Sequence, residues 1–302
     1  MLSFPPFPLP PFLADFAMQR IGERVRSITG SQSSLEVFTT PLGDPGLFGP
    51  DAVVWRVHAD FTAMMVGGLS SLMVQSLHPR ALAAVWDHSD FRNNLKARLG
   101  RTAYFVAATT YGGEALAKQT IARVNNIHAQ VKGTDLQGRA YVANEPPLLS
   151  WVHLVEVMSF LTAFQHLAKQ PLSLRECDQY IQEMTTVGHL LGAVNLPTTW
   201  LATQQALRDF QAELSYDDRA KQIIDIIESY PADWSEKPFM NLVLAAGFDV
   251  MPAWARDCIQ HAHPCPLSVQ VRRLALLTAS EPVQWMLNKQ GVAAIARQRV
   301  AA

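Results

Sequence analysis

The sequence predicts an all-α protein, a multi-helix globular domain with a C-terminal helical layer. Apolar residues recur at helical spacing in nearly every segment, and no convincing alternating run suggests a strand. Glycine and proline fall mainly between the periodic segments. The chain has 302 residues, 49% apolar and only 17% charged. That length can bury one large core, and so few charges predict extensive buried surface, an apolar cavity or a partner.

Taken in order, residues 1–50 form a Pro-rich arm, a helix over 10–30 and a Gly/Pro-rich loop over 31–50. Residues 51–302 form a single helical domain. The arm lacks a basic segment and its prolines interrupt any apolar helix, so it predicts an extended arm instead of a signal peptide. It can pack on the domain, on a partner or on a membrane surface, which keeps peripheral membrane contact open for an otherwise cytoplasmic protein. One or two helices follow over 51–76. Phe61 to Leu77 carries no formal charge, but it is short and punctuated by small residues, which predicts a buried central helix and not a membrane span. Pro79 starts the next helix. Ser89 or Asp90 is placed to cap a helix over 91–110. Gly112-Gly113 breaks it, and a helix over 114–131 ends at Gly133. Residues 133–147 read as a polar loop. A long apolar helix spans 148–168. Further helices are expected over 173–194, 198–213, 216–229, 236–248, 252–260 and 266–279, with a last one starting near Glu281-Pro282.

Bulk chemistry excludes several classes. Lys+Arg number 25 against 26 Asp+Glu, so no basic excess supports nucleic-acid binding. Cys177, Cys258 and Cys265 are too few and too scattered for a disulfide framework or zinc spacing. The absence of CxxCH rules out a c-type haem attached through the usual motif. No P-loop, GxSxG or GxGxxG motif occurs. The neighbouring His88-Ser89-Asp90 is no triad, because sequence neighbours do not converge in a relay.

Two segments carry candidate chemistry. Arg98, Arg101, Thr102 and Phe105 stand at i, i+3, i+4 and i+7 and share a helix face. Two guanidiniums there suit an anion such as a carboxylate; a solvated basic surface is the plainer alternative. His128 lies on or beside an apolar stripe of Leu116, Val124, Ile127 and Val131. An imidazole there is a hydrogen-bonded core histidine or a metal ligand. A non-haem metal site would need ligands from other helices, whereas haem needs one protein ligand. Glu156 is the sole carboxylate of the 148–168 helix, turned to solvent or tuned as an acid.

The segments QSLHP (75–79), HSDF (88–91), RLGRT (98–102), YGG (111–113), HAQVKG (128–133), YVANEP (141–146) and LLSWVH (148–153) occur in one order. With them the chain resembles the catalytic domain shared by rubber oxygenases (latex-clearing proteins) and the ER-bound oxygenase of mycophenolic acid biosynthesis, over roughly residues 50–260. The resemblance implies a globin-like core holding haem b, with His128 as the iron ligand. It places Arg98, Arg101 and Thr102 on the distal side as the catalytic group, with both arginines also binding the cofactor. Where this chain has Arg101 the rubber enzymes have lysine. Arginine stays protonated and does not ligate iron, so the distal position is expected to be open. The implied function is a haem b-dependent oxygenase taking dioxygen and a small apolar, isoprenoid-like substrate. The alternatives are a non-catalytic haem- or lipid-binding protein and a helical structural protein without cofactor.

Overall fold

A computed structural model describes residues 35–302 apart from Pro231. The Pro-rich arm and the helix expected over 10–30 lie outside the described residues. The architecture is all-α, with two three-residue strands as the exception.

At the centre, helix α2 (Phe61–Gln75) packs along helix α6 (Pro146–Leu167). Neither contains Lys or Arg, and Glu156 is the lone carboxylate in the pair. Asp60 starts α2 by accepting from the Ala63 amide at 2.9 Å. Pro146 opens α6 at a position where its missing N–H is no loss. The axes come unusually close at Gly67, where a Cβ would fall 2.8 Å from the Ser159 carbonyl oxygen and 2.9 Å from the Phe160 Cα. Only glycine fits that backbone-to-backbone approach. Helix α6 is long and apolar enough to cross a membrane, but 78% of its apolar window is buried inside the protein. It is a core helix of this fold.

Around this pair stand α1 (Val53–His58), α3 (Pro79–His88), α4 (Leu95–Tyr111), α5 (Glu114–His128) and α7 (Leu174–Leu191). A Ser173/Glu176 capping box starts α7, and Gly192 ends it in the left-handed region at φ 98°. Then come α8 (Trp200–Asp209), α9 (Asp218–Glu228), α10 (Lys237–Val250), α11 (Ala253–Cys258), α12 (Pro266–Gln290) and α13 (Val292–Ala301). Helix α10 lies between α2 and α12, which makes the expected C-terminal layer. Buried Arg299 of α13 donates to the carbonyls of Asp44 (3.1 Å) and Phe38 (3.2 Å), so the end of the chain pins the loop before α1. Asp44 in turn caps α5 by accepting from the Glu114 amide at 2.8 Å.

Four expectations need correction. Helix α4 begins at Leu95, because Asn94 takes the capping role that Ser89 or Asp90 was expected to fill. A 3₁₀ turn occupies Asp90–Arg92. Helix α5 stops at His128 instead of 131, because the chain turns into a hairpin. Strands β1 (Lys132–Thr134) and β2 (Ala140–Val142) pair antiparallel, with Gly133 opposite Tyr141, where a polar loop was expected. Such short strands have no room to display alternation. Finally, α12 runs unbroken through Pro282. Thr278 and Ser280 donate their hydroxyls to the carbonyls of Leu274 and Leu277 around the kink-prone turn.

The Gly67 contact yields a stability prediction. Gly67→Ala should destabilise the protein by about 1–3 kcal/mol, since backbone on α6 must move to admit a methyl group. Gly138→Ala meets nothing within 4 Å and should cost only the strain of its positive φ. Urea midpoints for the two variants measure the difference, and equal midpoints would contradict the close-packing account.

Candidate functional site

His128 is the last residue of α5. The face of α5 turned to the core consists of Ala117 and Ile121, fully buried, then Val124 and His128, partly buried. This differs from the stripe expected from sequence, because Ile127 points outward and is 53% exposed. His128 therefore sits at the C-terminal end of the true inner face. A groove of about 560 Å³ follows the opposite face, past Gln119, Arg123, Asn126 and Gln130, and does not include His128.

Helix α4 packs directly on α5 and brings Arg98 to His128. The positive charge of Arg98 adds to burial in pushing the His128 imidazole below its ordinary value, with burial the larger cause. The ring is thus kept neutral. Arg98 is itself enclosed, and burial with the nearby charge of Arg101 pulls its guanidinium down to about 10, still protonated at neutral pH. Neither group is satisfied. His128 Nδ1 and Arg98 Nε are sealed from solvent and have no hydrogen-bond partner among the described residues. Each such atom is costly, since it forfeits its water without replacement. Arg101 and Thr102 lie on the exposed side of α4. The four sequence-selected residues thus divide: Arg98 and His128 are half-buried, while Arg101 and Thr102 stand outward, with Arg101 close enough for its charge to reach Arg98.

A neutral imidazole with a free nitrogen can bind a metal, and an unpaired buried guanidinium can bind a carboxylate. A haem carries both partners, an iron and propionates, so the residues present fit that group. Among the described residues no three His, Cys, Asp or Glu side chains cluster as a metal site, and a haem requires no such cluster.

Three other histidines make structural contacts. His153 is buried against α7, and burial pushes it to about 4 while the Met184 backbone hydrogen-bonds it. A Cβ at Gly188 would fall 2.8 Å from its Nε2, so glycine is required there. His78 lies over Trp151, with ring centroids 5.9 Å apart, and Nε2 is 3.5 Å from a Glu213 oxygen. His88 Nε2 lies 3.1 Å from the Lys132 carbonyl, tying α3 to the hairpin.

The catalytic-domain model described as ER-bound oxygenase mpaB/B′/rubber oxygenase matches residues 55–279. The chain belongs to this family. No match was found among curated proteins or among solved structures. The matched span contains α2 through α11, and so every residue of the site just described. Family membership makes the domain that of an oxygenase, with a substrate and dioxygen as its partners.

Sequence reasoning missed a second polar cluster. His58, at the end of α1, places Nδ1 2.7 Å from Thr110 Oγ1 and Nε2 3.0 Å from Tyr180 Oη. The three residues are far apart in sequence, and no motif joins them. Glu156 faces the same region from α6. Its side chain is half-buried, with protein around the carboxyl. Burial alone pushes it up to about 7.

That shift has a sign. A carboxyl whose folded value is raised favours the native state while protonated. Its stability contribution is complete below the unfolded value, near pH 4.5, and is lost as pH rises through about 7. Glu156→Gln should therefore gain stability relative to the parent as pH increases from 4.5 to 8, by up to ~3 kcal/mol. Denaturation midpoints across that range test it, and a gap between the two proteins that does not widen with pH would contradict the assigned environment.

Proposed function

We propose that this protein is a haem b-dependent oxygenase that uses dioxygen on a small apolar, isoprenoid-like substrate. One observation carries the haem assignment. Arg98 lies close enough for its charge to act on His128, each has one sealed nitrogen without a partner among the described residues, and a haem would supply the iron and the carboxylate they lack. Family membership supports oxygenase chemistry, and the nearly uncharged central helices suit an apolar substrate. His128 would hold the iron through its neutral ring. Arg98 would bind a propionate by charge-assisted hydrogen bonds. Arg101 and Thr102, one turn further along α4, are the residues we assign to the distal side, where a guanidinium and a hydroxyl can hold an anionic oxygen. Haem, when bound, would supply the redox chemistry that no side chain offers. The protein's part is to keep His128 deprotonated, to neutralise the propionates and to exclude water from the apolar interior.

The exposure of Arg101 and Thr102 favours a second reading, a haem-binding protein without turnover. Product formation from an unsaturated isoprenoid under oxygen separates the two. Haem binding itself is read by absorbance. Purified protein supplemented with haem should show a Soret band with an imidazole-ligation spectrum. His128→Ala should lose most of the bound haem while keeping its far-UV circular dichroism, and Arg98→Ala should weaken haem binding roughly tenfold, as loss of a charge-assisted pair implies. A wild-type protein that stays colourless, or a His128→Ala variant with an unchanged spectrum, would end the haem assignment.

A further inference from the structure

Helix α12 carries two stripes at helical spacing, on opposite sides. Val269, Leu276, Ser280, Val283 and Leu287 form the more buried one, and the helix packs on α10, α2 and α6. Leu267, Val271, Leu274, Thr278, Glu281 and Trp285 form the other, at alternating steps of four and three residues. Leu267, Val271 and Leu274 are 72%, 58% and 60% exposed, and Trp285 is 40% exposed. Thr278, in the middle, donates its hydroxyl to the Leu274 carbonyl at 3.0 Å, so its hydrogen is already used. From Pro266 to Ser280 the charged residues are Arg272 and Arg273 alone. Both are held within the chain, Arg272 by Asp249 at 2.7 Å and Arg273 by the carbonyls of His166 (2.6 Å) and Ala168 (3.3 Å). A helix apolar on all sides belongs in a protein interior, and here one side is open.

Spacing and charge indicate what covers it. Alternating steps of three and four residues match the surface of another helix. The charges on this side lie toward the C-terminal end. Glu281 meets Lys169 at 2.9 Å, and the Lys289 ammonium lies 4.2 Å from the centre of the Trp285 ring. Consider the stripe laid antiparallel on its own copy, with a two-fold axis at Thr278. Val271 then faces the partner's Trp285, and Leu274 faces the partner's Pro282. Glu281 faces the partner's Ala275, so no charge meets a like charge. A parallel pair would oppose Glu281 to Glu281 and Lys289 to Lys289. The antiparallel pair is self-complementary, as a two-fold interface requires. Leu267 to Trp285 spans about 28 Å, and half the surface of a helix ~11 Å wide over that length is roughly 500 Å². Two copies together cover about 1,000 Å², the lower edge of specific interfaces and the size of reversible ones.

We propose that the outward face of α12 is a dimerisation surface on which two copies of this chain pair antiparallel and reversibly. Sedimentation velocity of the full-length protein from about 1 to about 200 μM tests it, the range in which an interface of this size dissociates. The parent should pass from monomer to dimer with rising concentration. Val271→Glu and Leu274→Glu should each weaken association at least tenfold, because a carboxylate is then buried against apolar groups without a partner. Leu201→Glu changes an equally exposed leucine on α8 and should leave association unchanged. Far-UV circular dichroism checks the fold of each variant. Orientation is read by a short bis-maleimide after Cys258→Ser and Cys265→Ser. Thr278→Cys in that protein should cross-link to its copy, whereas Leu267→Cys, far from the axis, should not. The cross-link also tests the surface should the glutamate variants fail to fold. A parent that stays monomeric throughout the range, a dimer that both glutamates leave intact, or Leu267→Cys cross-linking as readily as Thr278→Cys would each overturn the proposal. Monomers that bind phosphatidylcholine vesicles through the same leucines would overturn it too, and assign the face to a lipid surface.

Discussion

The close approach of α2 and α6 at Gly67 is the constraint from which the rest of the structure follows. A missing methyl group lets two nearly uncharged helices meet backbone to backbone, and their remaining faces then accept α1, α7 and α10. Because α6 is covered along most of its length, anything polar on it becomes a buried group. Glu156 is the case in point. Its raised carboxyl is a consequence of where α6 sits, and no neighbouring charge is needed to explain it.

The polar groups inside this bundle fall into two kinds. His153, His78 and Arg299 each tie one element to another through a protein partner, while His78 Nδ1 and one Arg299 terminal nitrogen stay unpartnered among the described residues. Arg299 holds the 35–50 loop, and that loop holds α5 through Asp44. Arg98, His128 and Glu156 have no hydrogen-bonding partners among the described residues. An unsatisfied buried atom must be offset by stability elsewhere. Arg98 with His128 suits a metal-bearing anion.

Local sequence patterns were readable wherever one residue type has one physical consequence. Pro79 and Pro146 start helices, Gly112-Gly113 breaks one, and the 3.6-residue period identifies the helical class throughout. They misled where two residues compete for one role, as at Asn94 against Ser89 and Asp90. They misled also where the element was too short to show a period, as in the hairpin. Pro282 reads as a helix start by local rules, and it lies inside α12 because the neighbouring turns are held by packing and by hydroxyl back-bonds.

By itself the sequence determined the helical class, the family and the identities of Arg98 and His128 as candidates. All of these depend on composition, period or ordered motifs that lie along the chain. Tertiary structure decided which groups meet. It turned Ile127 outward and His128 inward, half-buried Arg98 while leaving Arg101 and Thr102 exposed, and joined His58, Thr110 and Tyr180 from three helices. Such encounters depend on how helices rotate and cross when they bury their apolar faces together. No stretch of sequence records that, because the deciding encounters are between residues on different helices, 52 positions apart for His58 and Thr110 and 122 for His58 and Tyr180.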